Sequence, residues 1–295
     1  MNGSPNVPAP NHFEMNTAMK PDNIDLKTVK GFGDEWTRFD QRRLGEGERA
    51  QLFDRYFNIF PWHLLPDKAS GFDLGCGSGR WAALVAPRVH RLHCIDASES
   101  ALTVARQNLA EHANCEFHVA SVDQIPPAVN SMDFGYSLGV LHHVPDTEAG
   151  LKSCVGRLKP GAPFLLYLYY AFDNRPWWFR LLWRVSDVAR QAVSRAPMGV
   201  RYAMSQVIAA TIYFPLARLS RLLERVGVKV DALPLSAYRT QSFYVMRTDA
   251  LDRFGTKLEQ RFTAAQIRQM MERAGLERIT FSNSVPFWCA VGFKK

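Results

Sequence analysis

The sequence predicts a doubly wound α/β fold that carries a largely helical insertion late in the chain. Three observations predict it. Short apolar strand-like runs alternate with helical runs between about residues 70 and 170, the rhythm of βαβ units around a parallel sheet. The stretch Gly71-Phe72-Asp73-Leu74-Gly75-Cys76-Gly77-Ser78-Gly79-Arg80-Trp81 reads as a strand end, a glycine turn and a helix start. The alternation stops at Ala171 and resumes near residue 259.

The elements follow in order. Residues 1–30 form a tail expected to be flexible, polar and proline-bearing up to about Pro21. The core is expected over 31–170. A helix is expected over Glu46–Phe60, with Leu52, Tyr56 and Phe57 on its apolar side. Strand one ends at Leu74, and a helix covers about Gly79–Val85. Strand two is Arg91–Asp96, and Ser98 caps the next helix. Strand three runs Cys115–Ala120 and strand four Met132–Leu138. A helix fills Asp146–Leu158, and strand five spans Pro163–Tyr170.

The insertion, 171–258, opens with a helix from Pro176 to Val193. Arg180, Arg184, Asp187 and Gln191 share one of its faces, with Leu181, Leu182, Val185, Ala189 and Ala192 opposite. A second helical stretch, Val200–Val226, is expected to kink or split at Pro215, and 227–256 reads as irregular. Residues 259–295 return to the sheet. Thr263 with Gln266 forms a capping box, and Glu277–Ser282 and Phe287–Phe293 alternate as strands.

Composition sets bounds. The 295 residues are 47% apolar, enough for one elaborated domain. The net charge of +8 is spread along the chain and thickens only between Arg175 and Arg225, which reads as a basic surface. The five cysteines include no C-x-x-C pair, and four sit among apolar neighbours, as in a reducing compartment. Cys76 is the exception, inside the glycine turn. No metal-ligand set is expected: His112 and His118 flank Cys115, but strand three would turn them apart. The N-terminus lacks a basic-then-apolar leader and no run reaches a membrane span, so a cytoplasmic protein is expected.

The turn is a nucleotide-type site. Glycines let the backbone approach a ligand, and the following helix offers unpaired N–H groups. A dinucleotide fold would show G-x-G-x-x-G, but Arg80 stands where the third glycine belongs. A Gly-Lys-Ser or Gly-Lys-Thr phosphate loop is absent. The remaining pattern, Asp73-Leu74-Gly75-Cys76-Gly77-Ser78-Gly79, resembles motif one of class I S-adenosylmethionine-dependent methyltransferases of the small-molecule type. Asp96 at the end of strand two, Ser137-Leu138-Gly139-Val140-Leu141-His142-His143-Val144 after strand four and Leu158-Lys159-Pro160-Gly161-Ala162 before strand five extend the resemblance in the same order.

The resemblance implies a Rossmann-like seven-stranded sheet with the last strand antiparallel, and S-adenosyl-L-methionine as cofactor. It implies cofactor contacts from Asp73, Gly75, Cys76, Gly77 and Gly79, with Asp73 on the methionine amino group. It puts Asp96 with Ala97 at the ribose, and Ser121 and Val122 at the adenine, where Asp123 is displaced from the family's acid. Leu138 joins them. Trp36 and Arg38 belong to a segment expected to close over the cofactor, the arginine toward its carboxylate and the tryptophan toward the sulfonium. His143, and after it His142, are candidate bases at the mouth of strand four. Tyr169, Tyr170, Trp177 and Tyr238 are candidate substrate contacts.

The acceptor is expected to be an oxygen or nitrogen, before carbon or sulfur, of a small, partly hydrophobic molecule. A lipid-like or membrane-surface substrate and a noncatalytic cofactor-binding module are the alternatives. Ser137-Leu138-Gly139-Val140 replaces the Asn- or Asp-Pro-Pro-aromatic motif of base-methylating enzymes, which argues against nucleic acid, and Arg80 argues against a nicotinamide oxidoreductase. The surplus aromatics Trp177, Trp178, Phe179 and Trp183 leave three readings of the insertion open: a substrate pocket, a homodimer contact or a membrane contact.

Overall fold

A computed structural model describes residues 22–295. Seven strands, β1 (Ser70–Leu74), β2 (Arg91–Asp96), β3 (Cys115–Val119), β4 (Phe134–Leu138), β5 (Pro163–Tyr167), β6 (Leu276–Phe281) and β7 (Cys289–Lys294), form one sheet in the order β3-β2-β1-β4-β5-β7-β6. Strands β1 to β5 pair in parallel, and β7 runs antiparallel to both β5 and β6. The expected sheet is therefore present, last strand included. The chain winds outward from β1 to β3 and then crosses back to β4. That reversal opens a crevice beyond the carboxyl ends of β1 and β4, where open α/β sheets hold ligands.

Strand alternation fills both sides of the sheet. Phe72, Ile95, Phe164 and Leu166 face α5 (Thr147–Arg157) and α10 (Ala264–Arg273), packing on Leu151, Val155, Ile267 and Met271. Leu92, Cys94, Tyr136 and Leu165 face the other way. They meet Phe53 and Phe57 of α2 (Glu46–Phe57), Val85 of α3 (Ala82–Val85) and Leu102 and Ala105 of α4 (Glu99–Asn108). Ser98 caps α4 by accepting from the Ala101 N–H, and Thr263 with Gln266 closes both bonds of the capping box on α10.

The tail expected over residues 1–30 lies, as far as residue 21, outside the described residues. Its remainder is not all tail. The Asp25 carboxylate accepts from the Thr28 N–H at 2.7 Å and starts α1 (Leu26–Arg38). Asn23 exchanges two hydrogen bonds with Asp146.

Between β5 and α10 the chain forms α6 (Trp177–Ser194), α7 (Met198–Ile208), α8 (Phe214–Arg225) and α9 (Phe243–Gly255). Val193, Ala209, Tyr213, Ala217, Met246, Ala250 and Phe254 make a separate small core there. The expected break near Pro215 falls one turn earlier, as a π-helical turn over Ala209–Tyr213. Pro215 sits in the first turn of α8 and has no N–H to give, so the preceding ladder widens. Helix α9 corrects the irregular reading of 227–256. It is buried against α1, α6 and α7, and a helix enclosed on several sides shows no single apolar stripe to read.

Helix α6 also differs from its sequence reading. Phe179, Trp183, Ser186 and Arg190 turn inward: Trp183 packs on Phe172, Ser186 accepts from Arg253, and Arg190 donates to the Thr256 carbonyl. Leu181, Leu182 and Val185, which a buried helix would place inside, are exposed. Among the described residues no helix is long and apolar enough to cross a membrane.

Candidate cofactor and acceptor site

The glycine turn sits at the crevice. Gly75 and Gly77 hold φ of +76° and +54°, a region side chains rarely enter. A Cβ on Gly75 would strike Val140 at 2.2 Å, and one on Gly77 would meet the Trp36 indole at 2.8 Å. Trp36, from α1, thus lies directly over the turn. The Cys76 side chain points instead into the core with Cys94 and Tyr136, so only its backbone can serve a ligand.

Two carboxylates flank the turn. Asp73 is 1% exposed, its Oδ2 has no hydrogen-bond partner, and burial raises its pKa to about 8. A buried carboxylate oxygen without a partner is expensive unless a ligand completes it, and a ligand ammonium would do so. Asp96 accepts from the Gly77 N–H at 2.9 Å with Oδ2 and from the Ser98 N–H at 2.8 Å with Oδ1. It therefore shapes the turn, and each oxygen keeps a lone pair for a vicinal diol. The Ser78 hydroxyl, also buried, has no partner. A glycine cradle, an orphaned carboxylate and a second carboxylate with spare acceptor capacity fit an adenosyl amino acid.

The two histidines are held in opposite tautomers. His143 Nδ1 lies 2.6 Å from the Leu258 carbonyl, which can only accept, so Nδ1 carries the proton and Nε2 is a free acceptor. His142 Nδ1 faces the Tyr169 N–H at 3.4 Å, so its Nε2 carries the proton and is a free donor. Both Nε2 atoms are buried without partners. Burial lowers both pKa values, that of His143 to about 4. Tyr169 stacks on His142 with ring centres 3.8 Å apart and donates its hydroxyl to Asp252. The other Asp252 oxygen, Oδ1, is orphaned and lies 4.0 Å from His143 Nε2. Two acceptors thus face each other across a gap.

Other acids lie close to Asp252. Asp249 accepts from the Tyr238 hydroxyl at 2.8 Å. Burial raises Asp249 and Asp252 to about 6 each. Glu35, 3% exposed, is raised well above the usual range by burial and then by the charges of Asp252 and Asp249. Arg80 is the cation that offsets all three; its guanidinium lies over Trp81 at 4.3 Å and Trp36 at 5.6 Å. Glu259, by contrast, is paired with Arg253 and Arg261 at 2.9 and 2.7 Å. Tyr167 packs edge-on against Tyr56 at 5.2 Å and lies 6.1 Å from Tyr169.

The structure does not bring every expected residue here. Arg38 is exposed and stacks on Tyr202 of α7 at 4.9 Å, because the helical turn after Trp36 carries it outward. Trp177 is 70% exposed at the start of α6. Tyr170 leaves on the opposite side of the chain from Tyr169 and packs on Phe172 and Phe287. Val122 is 6% exposed within the core, Ser121 and Ala97 are half-buried at the strand ends, and Leu138 is 8% exposed. Asp123 is taken by the Asn23 N–H at 2.5 Å, consistent with its displacement. The residues missed are Arg80, Glu35, Asp249 and Asp252. The last two sit three apart, which on a helix means one face.

Strand β2 brings His93 to His118. His93 Nδ1 and His118 Nε2 are 3.0 Å apart, and these atoms and a Glu116 oxygen lie within 4.8 Å of one another. That grouping could hold a cation, contrary to expectation. Arg91 Nε contacts Glu116 at 3.2 Å and competes for it.

Residues 72–161 match a family model described as a methyltransferase domain. With the sheet order and the glycine-turn site, this match supports a class I S-adenosylmethionine-dependent methyltransferase domain with S-adenosylmethionine as its cofactor. The chain is similar to the ubiquinone biosynthesis O-methyltransferase of Hahella chejuensis, 29% identical over 164 residues, 52% of this chain and 64% of that protein. It is also similar to phosphoethanolamine N-methyltransferase 2 of Caenorhabditis elegans, 29% identical over 129 residues, 42% of this chain and 28% of that protein. It spans less than two thirds of the length of these curated relatives. Among solved structures, a SAM-dependent methyltransferase from Aquifex aeolicus aligns over 88% of this chain and 96% of that one, with 13% identity and a TM-score of 0.49.

Proposed function

We propose that the chain transfers a methyl group from S-adenosylmethionine to an N–H or O–H group of a small, partly hydrophobic molecule. The observation that supports this most is the gap between His143 Nε2 and Asp252 Oδ1, two orphaned acceptors 4.0 Å apart. A group lying against this pair must donate, two hydrogen bonds from an amine or one from a hydroxyl, which a carboxylate or phosphate cannot. The three acids at 35, 249 and 252, with Arg80 the one cation acting on all of them, oppose anionic acceptors further.

When bound, the cofactor supplies an activated methyl on a sulfonium leaving group. The chain's residues hold and align. Asp73 and Arg80 are the proposed partners of its amino and carboxylate groups, Asp96 of the ribose, and Trp36 covers the turn. His143 Nε2 takes the acceptor's proton, and the Leu258 carbonyl stabilises the imidazolium that results. Asp252 orients the acceptor. Tyr56, Tyr167, Tyr169 and Phe32 wall the chamber against water.

The test incubates the protein with methyl-labelled cofactor and panels of amines, phenols, alcohols, thiols and carboxylic acids. Label should appear on amines or hydroxyls. Label only on carboxylates or thiols would sink the acceptor reading, and cofactor binding with no transfer to a cell extract would favour a noncatalytic module.

A further inference from the structure

The outward side of α6 has an unusual composition for a water-exposed helix. Trp177, Leu181, Val185 and Val188 recur at helical spacing and are 70%, 53%, 64% and 70% exposed. Trp178 and Leu182 widen the stripe. The stripe is not a frayed core, because the other side of α6 is filled by Phe179, Trp183 and Arg190 packed on the domain. Arg180 and Arg184 line one edge of the stripe, exposed and without a carboxylate partner among the described residues. Helix α8 repeats the pattern: Leu219 and Leu222 are exposed beside Arg221 and Arg225.

The charge balance is one-sided. Residues 177–229 hold nine Lys or Arg and two Asp or Glu. Both acids are occupied, Asp187 by Arg190 and Glu224 by Arg239.

We infer that this face adsorbs to an anionic lipid bilayer, with α6 lying in the interface plane. An exposed apolar stripe, a cationic edge and tryptophans at the helix end suit the boundary between headgroups and acyl chains. Adsorption rather than spanning follows, since no described helix is long and apolar enough to cross. A second copy of the chain fits less well, because stacking two such faces would bring the arginine edges together without compensating acids. Helix α9, which carries Asp249 and Asp252, packs on the inner side of α6, so adsorption would hold the acceptor chamber close to the lipid. The inference does not depend on the acceptor's identity.

The test is flotation of the full chain with vesicles of phosphatidylcholine alone and of phosphatidylcholine with phosphatidylglycerol at about 3:1. The wild type should float with the anionic vesicles, less at high salt and weakly with neutral ones. Leu181→Glu/Val185→Glu should abolish flotation. Arg180→Gln/Arg184→Gln should weaken partition roughly 30-fold, at the usual worth of two cations near such a surface. In both variants, circular dichroism and binding of S-adenosylhomocysteine should stay as in wild type, since none of the four side chains reaches the crevice. Absence of wild-type flotation, or flotation unchanged in both variants, overturns the inference. A dimer seen by sedimentation that Leu181→Glu/Val185→Glu dissociates also overturns it and makes this face a contact between copies.

Discussion

If Asp73 pairs with the cofactor's ammonium as proposed, cofactor binding is a proton-linked event. Burial holds its carboxyl at about 8 in the ligand-free protein, so it is largely protonated at neutral pH. The ammonium of an adenosyl amino acid pairs with the ionised form, so the pKa must fall on binding and a proton must leave. The sign follows directly: below about pH 8, each unit of acidification makes binding about tenfold weaker, or about 1.4 kcal/mol. Between roughly pH 7 and pH 5.5 the dissociation constant should rise about 30-fold, near 2 kcal/mol. Calorimetric titration with S-adenosylhomocysteine in buffers of different ionisation heat reads both quantities, and close to one proton should be released per ligand in this range. Asp73→Asn should bind weakly and lose the pH dependence. A wild-type dissociation constant that stays flat with no proton release refutes the reasoning.

Other substitutions separate the remaining roles. His143→Ala should lower kcat by about 10²- to 10⁴-fold with cofactor affinity retained, whereas His142→Ala should affect kcat less. With cofactor saturating, so that Asp73 is already ionised, the acid limb of kcat/KM for the acceptor should fall near the Asp252 value of about 6 and move down toward the His143 value of about 4 in Asp252→Asn, as a pH–rate profile would show. Gly77→Ala, at φ +54° with the Trp36 ring in the way, should remove S-adenosylhomocysteine binding measured by calorimetry while leaving circular dichroism unchanged. Arg80→Ala should weaken that binding by at least about tenfold, and Arg38→Ala should not, since Arg38 lies on Tyr202.

The core was legible because its signals are local. Asp73 to Gly79 carries its turn in its glycines, Ser98 and Thr263 carry their caps, and Arg91–Asp96 is bounded as read. The acceptor chamber was legible only in part. His143 and Tyr169 follow strand ends, so their places could be inferred. Asp249 and Asp252 lie on a helix enclosed by other helices, where both polar and apolar residues point inward and the amphipathic signal cancels. Arg80 was legible as a missing glycine, but its approach to Trp36 and Glu35 depends on α1 folding over the turn, a contact between distant stretches. The outward apolar side of α6 reversed the usual inference, since the sequence shows that a helix has two sides and not which one the domain covers.

Every role proposed above rests on the turn from Asp73 to Gly79 binding an adenosyl amino acid. Side-by-side calorimetry of S-adenosylhomocysteine and a reduced nicotinamide dinucleotide, on the wild type and Asp96→Ala, tests it most directly. One S-adenosylhomocysteine should bind per chain, the dinucleotide should not bind, and Asp96→Ala should bind markedly more weakly. Dinucleotide binding without S-adenosylhomocysteine binding would contradict this.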